Sequence, residues 1–226
     1  MKNNVLRTLT CAVIAAALAN TAHASYLVKS WLVPGTDAPW LGATEAVPPV
    51  PTAGLDAMAT SGTVNWSNPA GSGSLMNFLL SDPTTSLTTC TTATVGAVTY
   101  NCATQVMSTG TSTTQSATTY GQILEITGME MFSAGTTYSI THDDGITVTL
   151  DGTTIISSAG PQSGTVSTFT TTTGMHNIDI VYGECCGNPA TLMSNLPANI
   201  PEPNTLVLMT LGLAGVLAGL RRRSRT

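Results

Sequence analysis

Residues 138–156 constrain this chain more than any other stretch. Tyr138-Ser139-Ile140-Thr141-His142 alternates apolar and polar side chains, reaches Asp144-Gly145, and resumes as Ile146-Thr147-Val148-Thr149-Leu150. A second pair, Asp151-Gly152, follows, and then Thr153-Thr154-Ile155-Ile156. Type I′ turns need positive φ at both central residues, so Asp-Gly between alternating runs predicts a β-hairpin. The period of two puts Ile146, Val148 and Leu150 on one face, with Thr147 and Thr149 on the other. A chain built around such a unit folds as sheets with one buried face.

The flanking sequence extends the pattern. Residues 26–33 predict a strand that Pro34-Gly35 ends, and 122–127 another that Gly128 ends. Shorter strands are expected at 63–66, 166–172, 177–182 and 190–193, with Ile178, Ile180 and Tyr182 facing inward. Residues 38–55, rich in Pro, Gly and Ala, predict an irregular loop. The Thr- and Ser-rich run 84–119 holds one clear strand, at 95–100. A short helix is expected over 74–80, with Ser74 as N-cap. Many short antiparallel strands and almost no helix predict an all-β fold, an antiparallel β-sandwich.

The two chain ends carry addresses. Lys2 and Arg7 precede an apolar run over 9–18, and Ala22-His23-Ala24 supplies the small residues of a signal-peptidase site. A signal helix over 1–24, cut after Ala24, is the expectation. Cys11 leaves with it, because Thr8-Leu9-Thr10 lacks the small residue a lipoprotein signal needs. At the other end, Pro201-Glu202-Pro203 holds the backbone extended. The apolar run over 206–220 that follows is fifteen residues long, just short of the ~17–25 that span a bilayer comfortably. Arg221, Arg222, Arg223 and Arg225 then form a cytoplasmic stop. Gly215 and Gly219 have the spacing of a helix-packing pair, but small residues are common in such segments.

This order of parts resembles the PEP-CTERM sorting signal of bacterial exported proteins. The resemblance implies recognition by an exosortase, a membrane-embedded cysteine peptidase, with cleavage near Pro201 to Pro203. It divides the chain into a leader 1–24, an exported domain 25–196, and a sorting segment 197–226 with a transmembrane helix over 205–220. The product would sit in the inner membrane before processing and at the cell surface or in the extracellular matrix afterwards.

Between the two signals, Lys29 is the sole Lys or Arg, set against eleven carboxylates. A net charge near −10 without a basic patch excludes nucleic acid and anionic lipid as partners. Neutral sugars, cations and other proteins remain. Cys90, Cys102, Cys185 and Cys186 are an even set in an exported chain and read as two disulfides, with three connectivities open. The local solution joins Cys90 to Cys102 and leaves Cys185–Cys186 as a strained vicinal bridge.

The run from Gly135 to Gly152, with its Tyr138, Asp143-Asp144-Gly145 and Asp151-Gly152, resembles the central hairpins of PA14-like domains. Gly174-Met175-His176-Asn177-Ile178-Asp179-Ile180-Val181-Tyr182-Gly183-Glu184 resembles their closing strand with its Tyr-x-Glu ending. The resemblance spans residues 120–193. It implies a β-sandwich of a kind found in adhesins, glycosidase accessory modules and toxins, many of which bind carbohydrate. In one adhesin branch, adjacent aspartates and a distant asparagine hold a calcium ion that contacts the sugar. Asp143 and Asp144 match the aspartates, and Asn188 is the counterpart of the asparagine; Cys185-Cys186 departs from the pattern.

Each candidate has a plainer reading. Aspartate before glycine is a favoured turn residue, whereas a hard-cation site is built from carboxylate and carbonyl oxygens. His142 reads as a part-buried strand end and His176 as a surface residue. Trp31, Trp40 and Trp66 read as core before sugar platforms. No Gly-x-Ser-x-Gly elbow or phosphate loop is present, and no carboxylate pair is visible, so an enzyme is not expected. A carbohydrate- or exopolysaccharide-binding module comes first, a matrix component without its own ligand second, and a glycoside hydrolase last.

Overall fold

Strand alternation builds two sheets that face each other across one core. The computed structural model describes residues 25–34, 50–68, 73–95, 97–109, 120–160, 163–185 and 189–197; they lie in a unit running from Ser25 to Ala198. The strands are β1 Tyr26–Pro34, β2 Leu55–Ser61, β3 Asn65–Asn68, β4 Ser86–Cys90, β5 Thr92–Val95, β6 Val98–Asn101 and β7 Tyr120–Phe132. They continue as β8 Tyr138–His142, β9 Gly145–Leu150, β10 Thr153–Ser158, β11 Thr165–Phe169, β12 Gly174–Glu184 and β13 Ala190–Ser194. A seven-stranded sheet runs β10-β9-β12-β7-β1-β2-β4, and a four-stranded sheet runs β11-β8-β13-β3. β5 and β6 form a separate hairpin.

The expected alternation supplies the core. Ile126, Val148 and Ile180 from the larger sheet meet Trp66, Ile140 and Leu192 from the smaller, all 0% exposed. Full burial of such side chains contributes about 1.5–3 kcal/mol each. Trp31 points the other way. It packs with Ile123, Val181 and Cys185 in a second cluster, so both described tryptophans are buried. The helix is a single turn, α1 Leu75–Leu79, and Ser74 Oγ caps it by accepting from the Asn77 amide at 3.2 Å. Cys90 and Cys102 form a disulfide that ties the β5–β6 excursion to the sheet edge.

Several expectations need correction. β2 was not expected: it starts at the end of the loop expected over 38–55 and runs through residues 56–61, whose Asp, Ala and Met carry little strand propensity; Ala57 and Ala59 are fully buried in it. The Thr-rich run holds three strands, not one: the expected strand at 95–100 is the turn of the β5–β6 hairpin together with its flanks. Gly128 does not end a strand. β7 runs through it to Phe132, and a Cβ there would stand 2.8 Å from Tyr26 Cδ1. β11 stops at Phe169, short of 172.

The largest correction concerns Asp144-Gly145. β8 and β9 belong to different sheets and do not pair. The residues between them therefore form a corner by which the chain crosses the sandwich, not a hairpin tip. Asp151-Gly152 does turn a hairpin, β9 to β10, with φ of 50° and 78° as a type I′ turn requires.

The registers also give the sandwich two poles. Glu184 of β12 lies opposite Gln122 of β7, and Gly174 lies opposite Phe132. β1 starts at Tyr26, near Gly128, and the chain leaves β13 through Asn195, whose amide bonds the Ser139 carbonyl at 3.2 Å. Ser25 and Asn195 thus share one pole, while Glu184, Cys185 and the 143–144 corner share the other. The signal helix, Trp40, Cys186, Asn188, the sorting motif and the transmembrane helix lie outside the described residues.

Candidate functional site

The crossover corner brings three carboxylates together. Asp143 is 5% exposed, Asp144 4% and Glu184 1%. Strand alternation explains Glu184: it shares the inward face of β12 with Tyr182, Ile180 and Ile178. Asp143 Oδ1 accepts from the Tyr182 hydroxyl at 2.5 Å and from the Thr191 amide at 3.0 Å. The same hydroxyl stands 2.5 Å from Glu184 Oε2. Asp144 Oδ2 accepts from the Cys185 amide at 2.7 Å. These contacts stitch the corner to β12 and β13, one strand from each sheet.

The electrostatics follow from burial. Desolvation, reinforced by the charges of Asp143 and Asp144, pushes the Glu184 carboxyl well above its ordinary range. Asp143 is also raised by burial, against opposing hydrogen bonds from Tyr182 and Thr191. Desolvation and its acidic neighbours hold the Tyr182 phenol well above its ordinary value. One hydroxyl proton cannot serve both acceptors at once. Glu184 Oε1 has no hydrogen-bond partner.

His142 braces the corner from below. It is 0% exposed, and its Nδ1 lies 2.7 Å from the Asp144 carbonyl oxygen while Nε2 lies 2.9 Å from Ser167 Oγ. Burial lowers its pKa, against the hydrogen bond to the Asp144 backbone. Above the corner the backbone is tight: a Cβ on Gly160 would stand 2.3 Å from the Gly145 nitrogen. A second buried carboxylate, Asp56, sits toward the same pole and is satisfied differently. Gln122 Nε2 donates to both its oxygens at 3.1 and 2.9 Å, and Gln105 Nε2 donates to Oδ2 at 3.3 Å.

Of the residues singled out from sequence, Asp143 and Asp144 are brought together with Cys185, which is itself disulfide-bonded. His176 is not simply a surface residue. Its Nδ1 pairs with Asp151 Oδ2 at 2.7 Å and its ring meets Phe132 edge-on at 5.7 Å, both at the far pole. Tyr182 and Glu184 are the site residues to which the sequence reading gave no site role: alternation placed Tyr182 on the inner face, and Glu184 entered only as the end of the Tyr-x-Glu pattern. The donor set fits a hard cation in kind: acidic oxygens, one without a partner, and no Lys or Arg to balance them, since Lys29 is bound to Glu125 at 2.8 Å. Among the described residues no three His, Cys, Asp or Glu side chains already converge as a metal cage.

A family model described as the PEP-CTERM protein-sorting motif matches residues 199–223. No curated protein sequence matches the chain. Among solved structures, the chain is similar to a PA14 sugar-binding domain from an RTX adhesin, with a TM-score of 0.51 and 21% identity over 79% of this chain and 91% of that one. The PA14 domain of the antifreeze protein MpAFP gives a TM-score of 0.48 and 16% identity over 76% and 81% of the two chains. An alpha-xylosidase from Xanthomonas citri gives 0.40 and 8%, over 82% of this chain and 16% of that one. The first likeness takes in strands before residue 120 that the sequence resemblance did not reach. The chain thus carries a C-terminal PEP-CTERM protein-sorting motif, and the domain before it has a PA14-like antiparallel β fold.

Proposed function

We propose that this chain is exported, sorted by an exosortase through Pro201-Glu202-Pro203 and its arginine tail, and that its PA14-like domain binds glycan through a calcium ion at Asp143 and Asp144. The observation that carries the binding reading is the buried carboxylate trio at the crossover corner, with no Lys or Arg to offset its charge. A divalent cation would offset the charge of such a cluster. Asn188 would complete the site with a neutral oxygen, and calcium would supply open coordination positions for sugar hydroxyls. The adhesin domain with the same fold is described as sugar-binding, which supports the reading by analogy.

Binding fits the geometry better than hydrolysis. Glycoside hydrolysis sets two carboxyl groups roughly 5–9 Å apart across an open cleft. Here Asp143 and Glu184 meet on one tyrosine hydroxyl inside the fold. A second reading, a matrix component without its own ligand, is favoured by the amide that each aspartate already accepts. A glycan array run with calcium and with chelator separates the two. Calcium-dependent binding that Asp143→Asn with Asp144→Asn abolishes supports the first, and calcium-independent silence supports the second. The sorting reading is tested by replacing residues 201–203 with alanine, which should hold the protein in the inner membrane with its arginine tail intact. A mutant that reached the surface at normal mass would refute it.

A further inference from the structure

Among the described residues Glu130 is a buried carboxylate at the pole where the exported domain begins, and no side-chain cation faces it. It is 2% exposed, and its Oε2 has no hydrogen-bond partner. The Tyr26 hydroxyl is a polar neighbour: burial foremost, then the Glu130 charge and the contact with its carboxyl, hold that phenol far above its ordinary range, while burial raises Glu130 itself to about 7 against the same contact. Across the ladder Glu130 faces His176, but both ring nitrogens of His176 are engaged, by Asp151 on one side and by Thr172 on the other. Lys29, the sole Lys or Arg between residues 25 and 200, is bound to Glu125. Among the described residues no side-chain cation is left for Glu130.

The backbone can provide one. Leu27 pairs with Thr127 and the strands are antiparallel, so Ser25 comes level with Met129 and its nitrogen lies on the Glu130 side. Ser25 is exposed, and the adjoining Tyr26 is fully buried against Gly128. In the precursor that nitrogen is a neutral amide. Cleavage after Ala24 turns it into an ammonium with an ordinary pKa of about 7.7–8.0.

We propose that the α-ammonium freed when the leader is cut before Ser25 is the partner of Glu130, so that processing itself completes the fold at this pole. The proposal rests on the export reading and on cleavage after Ala24. Its consequence is that the mature domain is stabler than the same domain with extra residues in front.

The test uses the full chain, exported and processed in a host, with Gly-Ser inserted between Ala24 and Ser25 to carry the ammonium away from the strand. The insertion should lower the melting temperature by about 2–4 °C, the shift expected per kcal/mol in a domain of this size. The same insertion in a Glu130→Gln background should change nothing further. The N-terminal α-amine should also be acylated several times more slowly at pH 8 in the parent, where it belongs to Ser25, than in the insertion variant, where it belongs to the inserted glycine, a comparison that needs no change at Glu130. Equal lowering in both backgrounds, or equal amine reactivity, overturns the pairing. An N-terminal peptide that starts elsewhere than Ser25 overturns the cleavage assignment, and the pairing with it.

Discussion

Two identical dipeptides separated by a single strand meet opposite fates. Asp151-Gly152 turns the β9–β10 hairpin in solvent, with the positive φ that the pair is chosen for, and Asp151 bonds His176 and the Asn177 amide. Asp144-Gly145 has the same flanking alternation, yet it lies buried where the chain changes sheets. Its glycine is needed for space, not for φ: a Cβ on Gly145 would stand 3.2 Å from the Gly160 nitrogen. A local signal fixes how a strand ends. Which sheet the next strand joins depends on partners far along the chain.

The largest test of this contrast is at Gly160. Gly160→Ala drives a Cβ into the corner's backbone and should cost about 3 kcal/mol in urea unfolding, in the range of overpacking and strain. A cost under about 0.5 kcal/mol would mean that the corner is loose. Calcium should come next. At about a hundredfold over its dissociation constant it should raise stability by about 2.7 kcal/mol. Asp143→Asn with Asp144→Asn should abolish that gain and Asp151→Asn should preserve it, so a gain unchanged in the corner variant would move the ion elsewhere.

The pH dependence sharpens the comparison further. The corner's Glu184 and Asp143 are raised in the folded state. Their contribution is therefore complete below the ordinary carboxylate pKa and is lost as pH rises through the folded values. In chelator, the domain should lose stability from about pH 4 upward, and Glu184→Gln should flatten that slope. Asp151 is depressed by its hydrogen bond to His176, so its contribution is present above the ordinary aspartate pKa and fades as pH falls below it. Asp151→Asn should change only this acid limb. A slope of the same sign at both positions would erase the distinction. The smallest effect belongs to Gly152→Ala, whose Cβ meets nothing within 4 Å. It should cost about 1 kcal/mol for the left-handed backbone alone, measured by the same unfolding assay.

Legibility in the sequence followed the same divide. β8 and β9 were readable because Tyr, Ile and Val alternate with Ser and Thr along them, and β1, β12 and β13 from short runs of Leu, Val, Ile and Tyr. β2 was not, since Asp56, Ala57 and Ala59 gain their places only from Gln122, Gln105 and the close approach of the layers. The aspartate pair at the corner was legible by type and spacing. Its setting was not: the Tyr182 hydroxyl that joins Asp143 to Glu184 spans 39 residues of chain in one direction and two in the other. Inward-facing acid at the end of a strand was the available clue, and it pointed to Glu184.

The placement of Ser25 and Asn195 at the pole opposite the acidic corner sets a direction for the whole domain. In a domain sorted as proposed, the chain would leave from that pole, and Asp143, Asp144 and Glu184 would lie at the end of the sandwich away from the exit.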